Sequence, residues 1–494
     1  MAQNDFPDTK TCYPAFKAHD ARFDGRIYVG VSSTKIYCRP VCSAKIPKEE
    51  NCTFFPSAAA AEAAGYRPCL KCRPELAPGS APVDAAVNLA KKAALIMEEG
   101  MADSGLEDLA KALGITGRHL RRIFVSEYGV SPVQYVQTHR LLLAKSLLTD
   151  TNLTVTDIAF AAGFKSIRRF NALFQKNYRL SPSSLRKKTE RLSEEDADCI
   201  TLYLGYRSPY LWDNILAFLG ERAIPGVESV TGHAYHRAAV VQSCGKTYRG
   251  IICVRGAEKK NALAVTVSAA LLPVLQTVLA RIRHLFDLDC DPVEIYSRLD
   301  VMNEIRAGLC VNGIRVPGCF DGFEMAVRAV LGQQITVRAA RTLAGRIALA
   351  YGTELESPAY GLTHTFPMPS DICGLDGPIE NHLGLLGVTG ARARSIRALA
   401  EGMESGDIKL SISADPVVMM KRLLDLPGFG PWTVQYIAMR ALSWPDAFPD
   451  TDYGIKKALN GCAQKEILEL SLLWKPWRSY ATVLLWNSLQ QEKG

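Results

Sequence analysis

The stretch IYCRPVC, Ile36 to Cys42, and its sequel RPCLKC, Arg67 to Cys72, place four cysteines in two close pairs. Cys38, Cys42, Cys69 and Cys72 read C-x3-C and C-x2-C, separated by 26 residues. Such spacings let both thiolates of a pair face one tetrahedral ion, and four thiolates satisfy one zinc without an open position. Four reduced, buried cysteines are the plain alternative, and they would rarely fall into two such pairs. A structural ribbon is the usual purpose of a four-cysteine site. Here Arg39, Lys45, Arg67, Lys71 and Arg73 lie beside the ligands in an exposed-looking, basic context. Zinc keeps its sulfurs as thiolates, which are nucleophiles, so a thiolate among phosphate-binding arginines could attack a phosphate's alkyl group.

At 494 residues the chain exceeds what one core serves, so three or four domains are expected. Fourteen cysteines, mostly scattered singly, argue for reduced thiols and not a secreted disulfide framework. No stretch has the length and apolarity of a membrane span, and the opening lacks the pattern of a signal peptide, which predicts a cytoplasmic protein with no membrane partner. Charge is uneven: residues 1–190 hold 27 Lys and Arg against 18 Asp and Glu, the remainder 31 against 32. A positive field concentrated in the first part favours polyanions such as nucleic acid.

Linkers are expected at ELAPGSAPVD (Glu75 to Asp84) and RKKTERLSEEDAD (Arg186 to Asp198). Between them the pattern is helical and repeats. LAKALGITGRHLRRIF (Leu109 to Phe124) has a counterpart in IAFAAGFKSIRRFNALF (Ile158 to Phe174), and YGVSP (128–132) matches YRLSP (178–182) at an offset of 50. Each copy is a helix, a Gly turn and a second helix with paired arginines, the pattern of a DNA-reading helix-turn-helix. One copy alone could be a plain helical hairpin; two can read successive major-groove faces. The second helices, Thr116 to Glu127 and Ser166 to Asn177, carry the candidate contacts Arg118, His119, Arg121 and Arg122, then Ser166, Arg168, Arg169 and Asn171. Short β-branched runs at 200–205, 238–242, 250–256 and 262–268 predict a small antiparallel sheet. From about Leu271 the chain is helical again.

FDGRIYVGVSSTKIYCRPVC with AAGYRPCLKCRPE resembles the amino-terminal domain of the Ada family of the adaptive response to DNA alkylation, and the paired helix-turn-helix resembles the AraC-type domain that follows it there. The likeness covers about 185 residues. It implies that Cys38, Cys42, Cys69 and Cys72 hold zinc, that Cys38 irreversibly takes a methyl group from a DNA methylphosphotriester, and that Arg39 and Arg67 lie near the backbone. A tetrathiolate zinc carries net −2 and repels DNA; methylating one sulfur leaves −1. Removing one unit of repulsion at about 4–6 Å with effective dielectric near 20 is worth up to about 3–4 kcal/mol, some two orders of magnitude in affinity. Repair would then switch on promoter binding, with RNA polymerase as a further partner. The Pro-Cys-His-Arg motif of the second alkyltransferase domain of such proteins is absent from the sequence.

LPGFGPWTVQYIAMRAL (Leu426 to Leu442) joins two helices through Gly428 and Gly430, a hairpin whose N–H groups could grip a phosphate without reading sequence. Pro-Gly-x-Gly alone is a weak signal. FPDTDYGIKKAL (Phe448 to Leu459) follows, an acidic turn opening a helix. With FEMAVRAVLGQQIT (323–336) and WKPWRSYATVLLW (474–486), these segments resemble the AlkA-type 3-methyladenine DNA glycosylases of the helix-hairpin-helix superfamily, from about Ile200 to the end. A cationic alkylated purine leaves readily without a general acid, so one carboxylate near the sugar can steady the oxocarbenium ion and direct water. The likeness puts that role on Asp452; Asp450 is a competitor whose other role would be capping the next helix. Trp432, Tyr436 and Trp486 match the aromatic pocket for a flipped cationic base. Where the family's best-known members carry a leucine wedge, this chain has Gln333-Gln334, which can fill the gap and bond base edges but lacks apolar contribution. The likeness also implies a monovalent cation on hairpin carbonyls, and gives the sheet region no catalytic part.

The expected architecture is multidomain α+β. A small zinc α/β domain spans 1–78 and an all-α double helix-turn-helix 83–188. A small antiparallel β-sheet subdomain spans 199–285 and an all-α helix-hairpin-helix glycosylase domain 286–494. The expected function is repair and response to DNA alkylation, acting as a monomer on alkylated and promoter double-stranded DNA. Two rivals stand beside it: a regulator whose carboxy-terminal half only holds DNA, and a repair enzyme anchored by its helix-turn-helix.

Overall fold

The computed structural model describes residues 9–20, 23–24, 27–55, 58–72, 74, 85–98, 105–185, 199–243 and 245–491. The expected linkers at 75–84 and 186–198, and Arg73, lie outside the described residues. The chain divides into two compact units, residues 1–94 with 104–134, and residues 95–103 with 135–494.

In the first unit, strands β1 (Tyr28–Val31), β2 (Ile36–Cys38), β3 (Cys52–Phe55) and β4 (Arg67–Pro68) form a sheet in the order β3-β1-β2-β4. β1 runs antiparallel to both neighbours and β4 parallel to β2. Ile27, Val29 and Tyr37 are fully buried and anchor the sheet. The parallel pair brings the two cysteine segments together: Tyr37 faces Pro68, so Cys38 and Cys69 are the next residues on adjacent strands. The same unit holds the first helix pair, α1 (Leu106–Ala112) and α2 (Gly117–Tyr128). Thr116 caps α2 by accepting the His119 N–H at 3.2 Å, and Leu120, Ile123 and Phe124, at helical spacing, bury its inner face.

The second unit opens with most of α3 (Pro132–Asp150) and the second pair, α4 (Val155–Ala161) and α5 (Ile167–Tyr178). Thr154 and Ser166 cap the pair, accepting from the Asp157 and Arg169 N–H groups. Strands β5 (Cys199–Gly205), β6 (Glu228–Thr231), β7 (Ala234–Ser243), β8 (Lys246–Ala257) and β9 (Ala262–Ser268) follow as an antiparallel sheet ordered β5-β9-β8-β7-β6. Helices α6 (Trp212–Arg222) and α7 (Leu275–Leu285) flank it. Leu147, Ile158, Phe170 and Phe174 of the helix-turn-helix lie in the same buried cluster as Leu202, Val265, Leu271, Leu275 and Val278. The second reading module thus has no core of its own. Its turn is fastened too: Gln276 Nε2 donates to the Ala162 carbonyl at 2.7 Å. Gly163 there has φ +83°, and a Cβ on it would stand 2.7 Å from Gln276 Nε2.

The rest is helical around a core that includes fully buried Trp474. The elements that matter below are α8 (Gly322–Leu331), α9 (Gly390–Glu404), α10 (Pro416–Leu424), α11 (Pro431–Ala441), α12 (Tyr453–Ala458) and α13 (Arg478–Gln491). A hairpin of β10 (Glu354–Ala359) and β11 (Leu362–His364) returns to the sheet, the Thr363 N–H donating to Gly226 O at 2.7 Å. The mixed architecture expected from the sequence is the one observed. No helix among the described residues is long and apolar enough to cross a membrane.

Candidate functional site

The four cysteines converge in the first unit. Cys38 ends β2; Cys42 closes a turn by donating its N–H to Arg39 O; Cys69 follows β4 and donates its N–H to Tyr37 O at 3.0 Å. All four are buried, and their sulfurs lie within 4.8 Å of one another. Zinc–sulfur bonds near 2.3 Å in a tetrahedron put sulfurs about 3.8 Å apart, so the donor set fits zinc with little adjustment. The sulfurs otherwise compete for protons: bonding with Cys42 and Cys72 pushes the Cys38 thiol up, while Cys38 holds Cys42 down to about 2. A cation shared by four thiolates removes that conflict.

The surround departs from the expected exposed basic rim. Arg67 is exposed, but Arg39 is 1 % exposed. The Arg39 guanidinium forms a two-armed pair with Asp24, its Nε reaching Oδ1 at 2.8 Å, and its NH1 bonds Cys72 O at 3.4 Å. The Arg39 N–H also donates to Cys72 Sγ at 3.4 Å. Its position next to Cys38 puts it in the wall of the cluster. Lys71 is exposed and bonds Ser43 O. Asp24 carries no sequence signal, being a lone acid in a loop.

In the second unit, Asp452 lies at the centre of an aromatic pocket. Its Oδ1 accepts from the Gly454 N–H (2.8 Å), the Ile455 N–H (3.1 Å) and Trp486 Nε1 (2.9 Å), and its Oδ2 from Trp432 Nε1 (3.0 Å). It is therefore Asp452, not Asp450, that caps α12. Asp450 accepts instead from Gln464 Nε2 at 2.7 Å. Both indoles aim their N–H at one carboxylate, which fixes it on the pocket side of the helix while Oδ2 accepts one bond among the described residues. The Trp432 and Tyr436 rings stack at 5.3 Å and 11°, and Tyr436 meets Trp486 at 6.2 Å.

Residues from the sheet region complete this wall, correcting the expectation that it takes no part. Phe218 of α6 stacks on Trp486 at 6.3 Å and 17°, and the Arg222 guanidinium covers Phe218 at 3.8 Å. Buried Arg440 donates to Tyr436 OH at 2.8 Å. Burial raises the Tyr436 phenol, but Arg440, Arg222 and Arg328 together outweigh it and leave the phenol below its ordinary value. Phe218 and Arg222 read in sequence as an ordinary amphipathic helix, and only the packing of α6 against α13 reveals them.

Gly428 and Gly430 form the hairpin between α10 and α11, Gly428 with φ +79° and Gly430 at the amino-terminal cap of α11. Gln334 is exposed with φ +55°, whereas Gln333 turns its amide onto the hairpin. On α2, Arg118, Arg121 and Arg122 are exposed and His119 half-buried; Arg121 pairs with Glu107, and Arg122 approaches His119 Nδ1 at 3.1 Å. On α5, Arg168, Arg169 and Asn171 are exposed, and Ser166 is spent on the cap.

Residues 11–75 match the metal binding domain of Ada, 109–188 a helix-turn-helix domain and 201–321 the AlkA N-terminal domain. Over 98% of its length the chain is 37% identical to a probable bifunctional transcriptional activator/DNA repair enzyme AlkA of Mycobacterium tuberculosis, covering 97% of that protein. It is 36% identical to DNA-3-methyladenine glycosylase 2 of Escherichia coli, over 57% of this chain and 95% of that one. It is 32% identical to the bifunctional transcriptional activator/DNA repair enzyme AdaA of Bacillus subtilis, over 35% of this chain and 80% of that one.

Proposed function

This chain belongs to the family of bifunctional transcriptional activator/DNA repair enzymes, and we propose that it both accepts methyl groups from DNA phosphates and excises alkylated purines. The observation that carries the second activity is the pair of indole N–H bonds on Asp452. A flipped, positively charged base such as 3-methyladenine stacks among Trp432, Tyr436 and Trp486, with Gln334 filling the gap it leaves. The free side of Asp452 Oδ2 faces the sugar, steadies the developing oxocarbenium ion and takes a proton from the attacking water. A regulator whose carboxy-terminal half merely holds DNA has no use for a carboxylate fixed in this way.

For the first activity, Cys38, Cys42, Cys69 and Cys72 would hold zinc, which keeps the sulfurs ionised near neutral pH. The Cys38 sulfur attacks the methyl carbon of a methylphosphotriester; the sulfur–carbon bond forms, the carbon–oxygen bond breaks and the phosphodiester anion leaves. One negative charge is thereby removed from the cluster, which favours promoter binding through Arg118, Arg121, Arg122, Arg168, Arg169 and Asn171. In this reading the partners are alkylated and promoter DNA, with RNA polymerase at the promoter, and the chain works as a monomer. A monovalent cation would sit on hairpin carbonyls other than that of Gly428, which Gln333 occupies.

The test is free-base release from methylated duplex DNA by the wild type, Asp450→Asn and Asp452→Asn. Release of 3-methyladenine lost only in Asp452→Asn is expected; no release by folded wild type refutes the glycosylase. For the other activity, mass spectrometry should find one methyl on the Cys38 peptide after exposure to methylated DNA, and none there refutes it.

A further inference from the structure

Gln333 stands where three elements meet. Its Nε2 donates to Gly428 O at 2.8 Å and to Thr433 Oγ1 at 2.9 Å, so both amide hydrogens are committed to the hairpin and the first turn of α11. Its carbonyl accepts from Arg392 in the first turn of α9. Helix α9 also touches the hairpin, since a Cβ on Gly428 would stand 2.2 Å from Ser395 Oγ. The next residue, Gln334, is exposed and holds a left-handed backbone, φ +55°, which a residue other than glycine keeps only where its surroundings fix it. A donor group spent on two protein acceptors does not read a base edge.

We propose that Gln333 is a positioning residue, a strut that ties the phosphate-gripping hairpin to Gln334 so that the hairpin's seating on DNA sets where Gln334 enters the duplex. The inference rests on the glycosylase reading above. Gln333 acts through Gln334 and through the Gly428 carbonyl, and its loss frees the wedge loop without removing any group that touches DNA.

The experiment uses the full-length protein and compares wild type, Gln333→Met, Thr433→Val, Gln334→Ala and the Gln333→Met/Gln334→Ala pair. Single-turnover base release per folded chain is measured on methylated duplex, and affinity by anisotropy on an undamaged duplex at fixed salt. Losing two hydrogen bonds should slow release by Gln333→Met about tenfold, and losing one should slow Thr433→Val about threefold. Binding to the undamaged duplex should stay within about twofold. The double variant should be no slower than Gln334→Ala, because the strut works through that residue. Unchanged release, losses that multiply in the double variant, or weakened binding of undamaged DNA would each overturn the strut. If Gln333→Met does not fold, the threefold effect at Thr433→Val decides alone. A wild type that releases no base sinks the glycosylase reading and the strut with it, whereas a wild type and Gln333→Met that release base equally sink only the strut.

Discussion

Replacing Asp24 by Asn would strand a buried guanidinium beside the cysteine cluster. Arg39 is 1 % exposed and Asp24 10 %, so water screens the pair little. Removing one partner of such a pair costs about 3–5 kcal/mol, because the remaining charge stays buried without its counterion. A domain built on four short strands has about that much stability to lose, and metal binding must supply the rest. At about 1.4 kcal/mol per factor of ten, the variant should hold zinc two to three orders of magnitude less tightly. Chelator competition followed by metal analysis measures this, and the wild type should retain about one zinc per chain. The reasoning is refuted if Asp24→Asn keeps zinc within about threefold of wild type. It is refuted equally if Arg39→Ala holds its zinc but binds undamaged DNA more weakly, with a salt slope smaller by about one, since each phosphate contact adds close to one unit. That pair of results would make Arg39 a backbone contact.

Three further outcomes are expected. In Asp452→Asn the new amide must face either the capping N–H groups or Trp432 Nε1, donor against donor; this should cost about 1–3 kcal/mol in thermal melting, and adding Trp432→Phe should recover part of the stability while excision stays lost. Burial pushes Asp287 up to about 7, despite bonds from Tyr480 OH and the Val316 N–H. The folded chain therefore holds this proton to about pH 7 while the unfolded chain releases it near its ordinary value of 3.8, so stability should fall by about 2–4 kcal/mol as pH rises across that window and level off above it, and denaturant titrations of Asp287→Asn should lack the slope. Gly163→Ala sets a Cβ against Gln276 and forces a left-handed turn on alanine; it should lower hydrogen-exchange protection across α4 and α5 about tenfold or more while leaving base release unchanged.

What sequence makes legible follows from how local each signal is. The cysteine spacing, the capped helix pairs repeated 50 residues apart and the hairpin all depend on residues close in the chain, and periodicity or spacing displays them. The motif singles out Asp452, yet sequence alone offers the capping role to Asp450, because both precede the same helix. Only the folded turn distinguishes them, with Asp452 bonded to the Gly454 and Ile455 N–H groups. Arg39 reads as a surface cation because arginine usually is one; its burial depends on Asp24, fifteen residues away, and no pattern links the two. Phe218 and Arg222 reach Trp486 and Tyr436 across more than 200 residues of chain, a separation at which helical periodicity carries no information.

The second helix-turn-helix raises a different point about why two activities share one chain. Helices α4 and α5 have only 7 and 12 residues, and two short helices cannot bury enough apolar surface to offset the entropy of ordering them. Their inner face, Ile158, Phe170 and Phe174, joins a cluster completed by Leu271, Leu275 and Val278 from beyond the sheet, and Gln276 caps the Ala162 carbonyl at the turn. The module that reads DNA in the regulatory half is therefore held in shape by the excision half. Any change that loosens α7 acts on α5 through that shared core, so a substitution there, far from every DNA contact, should weaken duplex binding together with base release, whereas a substitution confined to the Asp452 pocket should leave duplex binding intact.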